Sequence, residues 1–223
     1  MELQIILLLA ILLLPMLAQL YIMSRYNKYK RVELTNKITG QEVARKILDD
    51  HGLKKVHIVE VKGKLSDHYD PTRKVIRLSH DVFHGETVAA AAIAAHEVGH
   101  AIQDHKGYFF MKVRSFIFPV VRIATTFSYI VILIGLLAEM ADLLYVGAAL
   151  VGAGLVFQLV TLPVEFDASK RAREDLDKLG ITTKGEAKGS SKVLTAAALT
   201  YVAGVIASAM QILRLILIAR GRR

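Results

Sequence analysis

The 223-residue chain contains no cysteine. That single absence removes disulfides, thiolate zinc ligands and cysteine nucleophiles together, and it suits a reducing, cytoplasmic face. Any transition metal must then be held by histidine and carboxylate. Internal repeats, low-complexity tracts and long linkers are missing too. Acidic residues are outnumbered, 20 Asp and Glu against 29 Lys and Arg, for a formal charge of +9. What is plentiful is apolar: 53% of residues are hydrophobic and the mean hydropathy is +0.41, above the range of ordinary globular domains.

The apolar residues gather into four runs long enough to cross a hydrocarbon core of about 30 Å. The first, residues 3–23, has neither a basic start nor an A-x-A-like exit, so it is expected to be a retained anchor, with Pro15 as a point where it kinks. Residues 116–138 and 143–164 are separated only by Glu139, Met140, Ala141 and Asp142, which predicts a transmembrane helical hairpin. Residues 193–218 form the fourth run, followed by a basic tail to residue 223. Two polar blocks, 24–115 and 165–192, carry 17 and 7 of the 29 basic residues. By the positive-inside rule both face the cytoplasm, with the acidic hairpin turn outside. Four spans then leave Arg220, Arg222 and Arg223 outside, a minority that the two heavily charged blocks outweigh. The excess of positive charge follows from topology and anionic headgroups, so no nucleic-acid partner is expected.

Within the first polar block, Thr39 or Gly40 opens a helix with Val43, Ile47 and Leu48 at helical spacing, stopped by Gly52. Residues 56–61 and 74–78 alternate apolar and polar side chains as half-buried strands do, with Asp70-Pro71 as turn chemistry between them. Residues 85–87 start a long Ala-rich helix, and Ser79 or Asp81 can cap a short turn before it. In the second block, residues 165–179 are expected to be helical and ended by Gly180, while Gly185, Gly189 and Ser190 loosen the approach to the last span.

On the Ala-rich helix lies His96-Glu97-Val98-Gly99-His100. Histidines four apart project from one helical face and can share a metal ion at about 2.0 to 2.1 Å. Glu97 is offset by one residue, beside such an ion and not on it, where a carboxylate can take a proton from activated water and pass it on. Gly99 costs about 1 kcal/mol against Ala in a helix, which points to close approach of a backbone or of the ion. Two imidazoles and no thiolate fit Zn2+.

A catalytic zinc usually takes a third protein ligand. The extended motif that places a third His six residues after His100 fails, because Lys106 stands there and Gln103 replaces its Gly. The hairpin returns the chain to the same membrane face at residue 164, which makes Glu165 a candidate and Asp167 its competitor.

The segments Asp67-His68-Tyr69-Asp70-Pro71, the HEVGH motif with Ala101-Ile102-Gln103, and Leu162-Pro163-Val164-Glu165-Phe166-Asp167-Ala168-Ser169 resemble the YugP-like membrane zinc metallopeptidases over most of the chain. More distantly the layout is similar to HtpX-type and CAAX prenyl proteases, where a Glu following a membrane hairpin is the third zinc ligand. The resemblance implies a mainly α membrane protein of about four transmembrane helices with a small α+β gluzincin-like domain. It also implies Zn2+ on His96, His100 and Glu165, with Glu97 catalytic. Ser169 departs from the pattern, since those relatives have Asp there, which leaves Asp167 or a backbone carbonyl to orient a zinc-bound imidazole.

These readings predict a multi-pass protein of the cell membrane, embedded in the lipid bilayer, with a protein or peptide substrate that is membrane-associated and a site on the cytoplasmic side. The competing class is a non-catalytic membrane scaffold or adaptor with a structural or vestigial metal site, a structural one being distinguished by four protein ligands in place of three plus water; a transporter is disfavoured because the candidate ligands lie at span ends or in polar blocks. Secondary candidates are Arg173 as an oxyanion donor against an ordinary surface pairing with Asp177, Tyr69 beside His68 as a group polarising a substrate carbonyl, and Arg122 as an intramembrane charge. His51, His57, His80 and His84 are read as surface histidines. Gly147, Ala148, Gly152 and Gly154 are expected to permit close helix packing, and strand 74–78 to present a free edge to substrate.

Overall fold

The computed structural model describes residues 2–222, so Arg223 of the basic tail lies outside the described residues. Among the described residues, seven helices and three strands follow one another: α1 (Glu2–Tyr29), α2 (Gly40–Asp50), β1 (His57–Val61), β2 (His68–Asp70), β3 (Val75–Ser79), α3 (His80–Phe83), α4 (Val88–His105), α5 (Phe109–Leu137), α6 (Ala141–Lys178) and α7 (Lys184–Arg220). The chain is a mainly α membrane protein with a small α+β part. It divides into two compact units, one of residues 20–111 and 164–198, the other of the chain up to residue 19 with 112–163 and 199 onward.

The first unit holds the sheet and a single hydrophobic core. Thr39 caps α2 through a capping box, its hydroxyl accepting from the Glu42 backbone N–H while the Glu42 carboxylate accepts from the Thr39 N–H at 2.7 Å. The apolar stripe Val43, Ala44, Ile47 and Leu48 is fully buried against α4, and Gly52 supplies the positive φ (+72°) at which that helix ends. Thr87 caps α4 on the Ala90 N–H, and the following alanines sink into the core, where their small side chains admit close neighbours.

In the sheet, β3 is the central strand. It pairs in parallel with β1 and antiparallel with β2. The free edge expected at residues 74–78 is therefore not there; β1 and β2 are the outer strands among the described residues. Asp70-Pro71 does make the turn, but the strand it closes, β2, is only three residues long and has no alternation to read.

The second unit consists of membrane-length helix segments. All four candidate spans are apolar and their side chains remain largely exposed, Phe116 by 84%, as lipid-facing residues should be. Leu144, Ala148, Leu215 and Ala219 form a buried seam where α6 meets α7. A Cβ on Gly147 would lie 2.5 Å from Ile132 and one on Gly154 3.1 Å from Thr125, so both glycines admit α5, whereas Gly152 has nothing within 4 Å and plays no such part. The Arg222 guanidinium donates to the carbonyls of Gly135 (2.8 Å) and Leu136 (3.2 Å), capping the end of α5. Arg222 thus lies at the end of α5 that leads into the hairpin turn.

Two helices are longer than the sequence suggests. The third apolar run and the segment after it are one 38-residue helix, α6, which passes through Pro163 and Glu165 without a break. Helix α7 begins at Lys184, and Gly185, Gly189 and Ser190 lie inside it. Thr183 and Glu186 make a second capping box, and the Glu186 carboxylate also accepts from the Thr35 N–H and hydroxyl at 2.7 and 2.8 Å. Gly189 is a contact point and not a loosening: a Cβ there would meet Tyr29 at 2.7 Å.

Candidate metal centre

Helix α4 presents His96 and His100 one turn apart, with ring centroids 4.7 Å apart and planes nearly perpendicular. The last turns of α6 in the same unit bring Glu165 against them. Its Oε2 lies 3.2 Å from His96 Nε2 and 3.7 Å from His100 Nε2, and the three donor atoms fall within 4.8 Å of one another. Of the two competing carboxylates, Glu165 joins the histidines; Asp167 turns away to Arg171 and Gln103.

Close approach of α4 and α6 depends on Gly99. A Cβ at that position would stand 2.8 Å from the Ala168 carbonyl oxygen and 3.1 Å from its Cα. The glycine that weakens the helix therefore makes room for a neighbouring backbone, and that backbone carries the carboxylate.

Behind the donor atoms, each imidazole is fixed through its other nitrogen. His100 Nδ1 lies 3.0 Å from Gln103 Oε1, while the Gln103 amide group donates to the Val164 carbonyl and to Asp167 Oδ2, both at 2.8 Å. With its NH2 committed on both sides, Gln103 turns its carbonyl to His100, so Nδ1 carries a proton and Nε2 is the nitrogen turned toward Glu165. Arg171 holds Asp167 in turn, through Nε at 2.6 Å. His96 Nδ1 meets the Ser169 hydroxyl at 3.2 Å. Ser169 itself, and neither Asp167 nor a backbone carbonyl, is thus the orienting partner of His96.

Electrostatics of the cluster follow from burial and from this convergence. Burial pushes the Glu97 carboxyl above its ordinary range, with the neighbouring Glu165 and Asp67 carboxylates adding to the rise and the two imidazoles opposing it. Burial pulls Glu165 the same way, but its bonds to His100 and His96 prevail and hold it well below the usual carboxylate range. For His100, burial works against the charged form, yet the Glu165 contact outweighs it and the imidazole is raised. Glu165 is 2% and Glu97 7% exposed, and the opposite directions of their shifts keep these two buried carboxyls chemically distinct.

The donor set is two imidazoles and one carboxylate, with no thiolate available anywhere in the chain, and it fits a zinc ion. A family model described as "Putative neutral zinc metallopeptidase" matches residues 4–220. The chain belongs to this family. It is 44% identical over 201 residues to the "Putative membrane protease YugP" of Bacillus subtilis (strain 168), an alignment covering 90% of this chain and 89% of that protein. The resemblance read from the motif segments is thereby shown. No solved structure matches the chain.

Other sequence candidates of this zinc-metallopeptidase family member fall elsewhere. Tyr69 donates its hydroxyl to Asp104 Oδ2 at 2.7 Å, and Lys74 pairs with the same carboxylate, so that ring is committed to bracing β2 against α4. His68 is exposed and turns to the Ser66 carbonyl. Arg173 lines a cavity with Glu174, Asp177 and Thr182 that none of His96, His100 and Glu165 lines. Arg122 is exposed on α5. Gln103, in contrast, holds an imidazole, a role that neither the failed extended motif nor the resemblance assigns it, although its spacing of three from His100 on one helical face is a signal for that role. Thr183-x-x-Glu186 was a legible capping box that the glycines beside it obscured.

Proposed function

We propose that the protein is a multi-pass membrane zinc endopeptidase of the HExxH, gluzincin type. His96, His100 and Glu165 hold the zinc ion and Glu97 is the general base. When bound, zinc supplies the Lewis acidity that polarises a peptide carbonyl and makes water nucleophilic at neutral pH. The protein's own residues do the rest. Gln103 and Ser169 hold the imidazoles with Nε2 turned inward. Glu97, its carboxyl raised by burial, accepts the proton of the attacking water and delivers it to the departing amine. The observation that carries this reading is the convergence of three donors from two helices beside a buried, separate carboxyl. Among the described residues no fourth His, Cys, Asp or Glu joins that group, which favours an open catalytic position over a closed structural one.

The five-part division of the chain belongs to the same proposal: an anchor to residue 23, a cytoplasmic segment 24–115 with the HEVGH helix, a hairpin 116–164, a cytoplasmic helix 165–192 and a last span with its tail. The concentration of Lys and Arg in the two polar blocks supports a cytoplasmic active site. Substrates are then membrane proteins or membrane-proximal segments. The test is Glu97→Gln in the purified full-length protein. Zinc content should remain, while cleavage of an unfolded model protein should fall by at least about a hundredfold; a variant that cuts as fast as the parent contradicts the mechanism.

A further inference from the structure

A second convergence of imidazoles on one carboxylate lies on the surface of the sheet. Glu60 sits on β1, His80 opens α3 and His84 closes it. The two histidines are four apart, so one helical turn sets their rings on the same side, with centroids 4.8 Å apart. Both face the same group: His80 Nδ1 is 2.7 Å from Glu60 Oε1 and His84 Nε2 is 3.1 Å from Oε2. One donor atom from each residue falls within 4.8 Å of the others, as at the candidate metal centre. Exposed pairs of this kind add little to folding, which leaves the three-way convergence without a purpose in stability alone. All three side chains are open to water, which can complete a coordination sphere.

We propose that Glu60, His80 and His84 form a second metal site, open to solvent and selective for zinc-like divalent transition ions over Ca2+ and Mg2+. Two imidazole donors set that preference. Its position gives it a task. Strand β1 is an outer strand with β3 as its sheet neighbour, and α3 leads from β3 toward α4. An ion shared by Glu60 and the two histidines clamps β1 to α3 and braces the sheet when free zinc rises. The site stands independently of the peptidase reading.

Zinc counting on the full-length protein without a histidine tag, stripped with chelator and re-equilibrated with zinc buffered in the low micromolar range, tests it. The parent should bind two equivalents, the His80→Ala/His84→Ala variant one, and the His96→Ala/His100→Ala variant one. In the last of these, zinc should still raise the thermal midpoint, and adding His80→Ala/His84→Ala should abolish that rise. A surface variant that binds as many ions as the parent overturns the proposal. A single parental equivalent lost with His96 and His100 overturns it too, while leaving the peptidase reading intact; a single equivalent lost only with His80 and His84 does the reverse.

Discussion

Gln103 is wholly buried and makes three hydrogen bonds, one to His100 and two to residues of α6, so it converts the arrival of α6 into the orientation of an imidazole. Truncating it strands the His100 Nδ1 proton. Gln103→Ala should therefore weaken zinc binding by about ten- to a hundredfold, the usual cost of losing a partner that orients a ligand, measured by competition with a chromophoric chelator; unchanged affinity would show that the amide only fills space. Gly99→Ala attacks the same junction from the backbone side. The added methyl meets Ala168, α4 and α6 must separate, and a stability loss of about 1 to 3 kcal/mol should accompany weaker zinc binding. At this scale the sequence was informative wherever the helix period alone decided the outcome, as for His96, His100 and the tight spot at Gly99. It was silent on the pairing of Ser169 with His96 and on the anchoring of Gln103 to α6, because both are set by where a helix more than 60 residues away arrives.

Elements show the opposite balance. Periodicity and caps located α2 and α4 well, since Thr39, Thr87 and Gly52 act locally. Removing the α2 cap by Thr39→Ala should cost about 0.5 to 2 kcal/mol, read as a lowered thermal midpoint with zinc content unchanged. Two expectations failed. Gly185, Gly189 and Ser190 looked like a loosening before the last span, yet helix continuity at α7 is supported by the Thr183–Glu186 box and by the contact of Gly189 with Tyr29. The central place of β3 was hidden likewise, because the three-residue β2 is too short to announce itself. Ile76 is fully buried on that central strand and flanked by strands on both sides, so Ile76→Pro should abolish folding, seen as loss of a cooperative melt.

For the whole molecule, the apolar runs and charge bias made the membrane class legible from composition, while sidedness rests on charge counting. The cysteine-free chain makes that testable with single substitutions. Lys54→Cys, in the polar block, should resist a membrane-impermeant maleimide in intact cells and react after permeabilisation, whereas Met140→Cys, at the hairpin turn, should react from outside. Reversed labelling would invert the topology without touching the metal site. The central claim is that α6 completes a zinc site on α4, and zinc content decides it. In a His80→Ala/His84→Ala background, one zinc should bind tightly to the purified protein and be lost when Glu165→Ala is added. Equal zinc in both proteins would contradict the account.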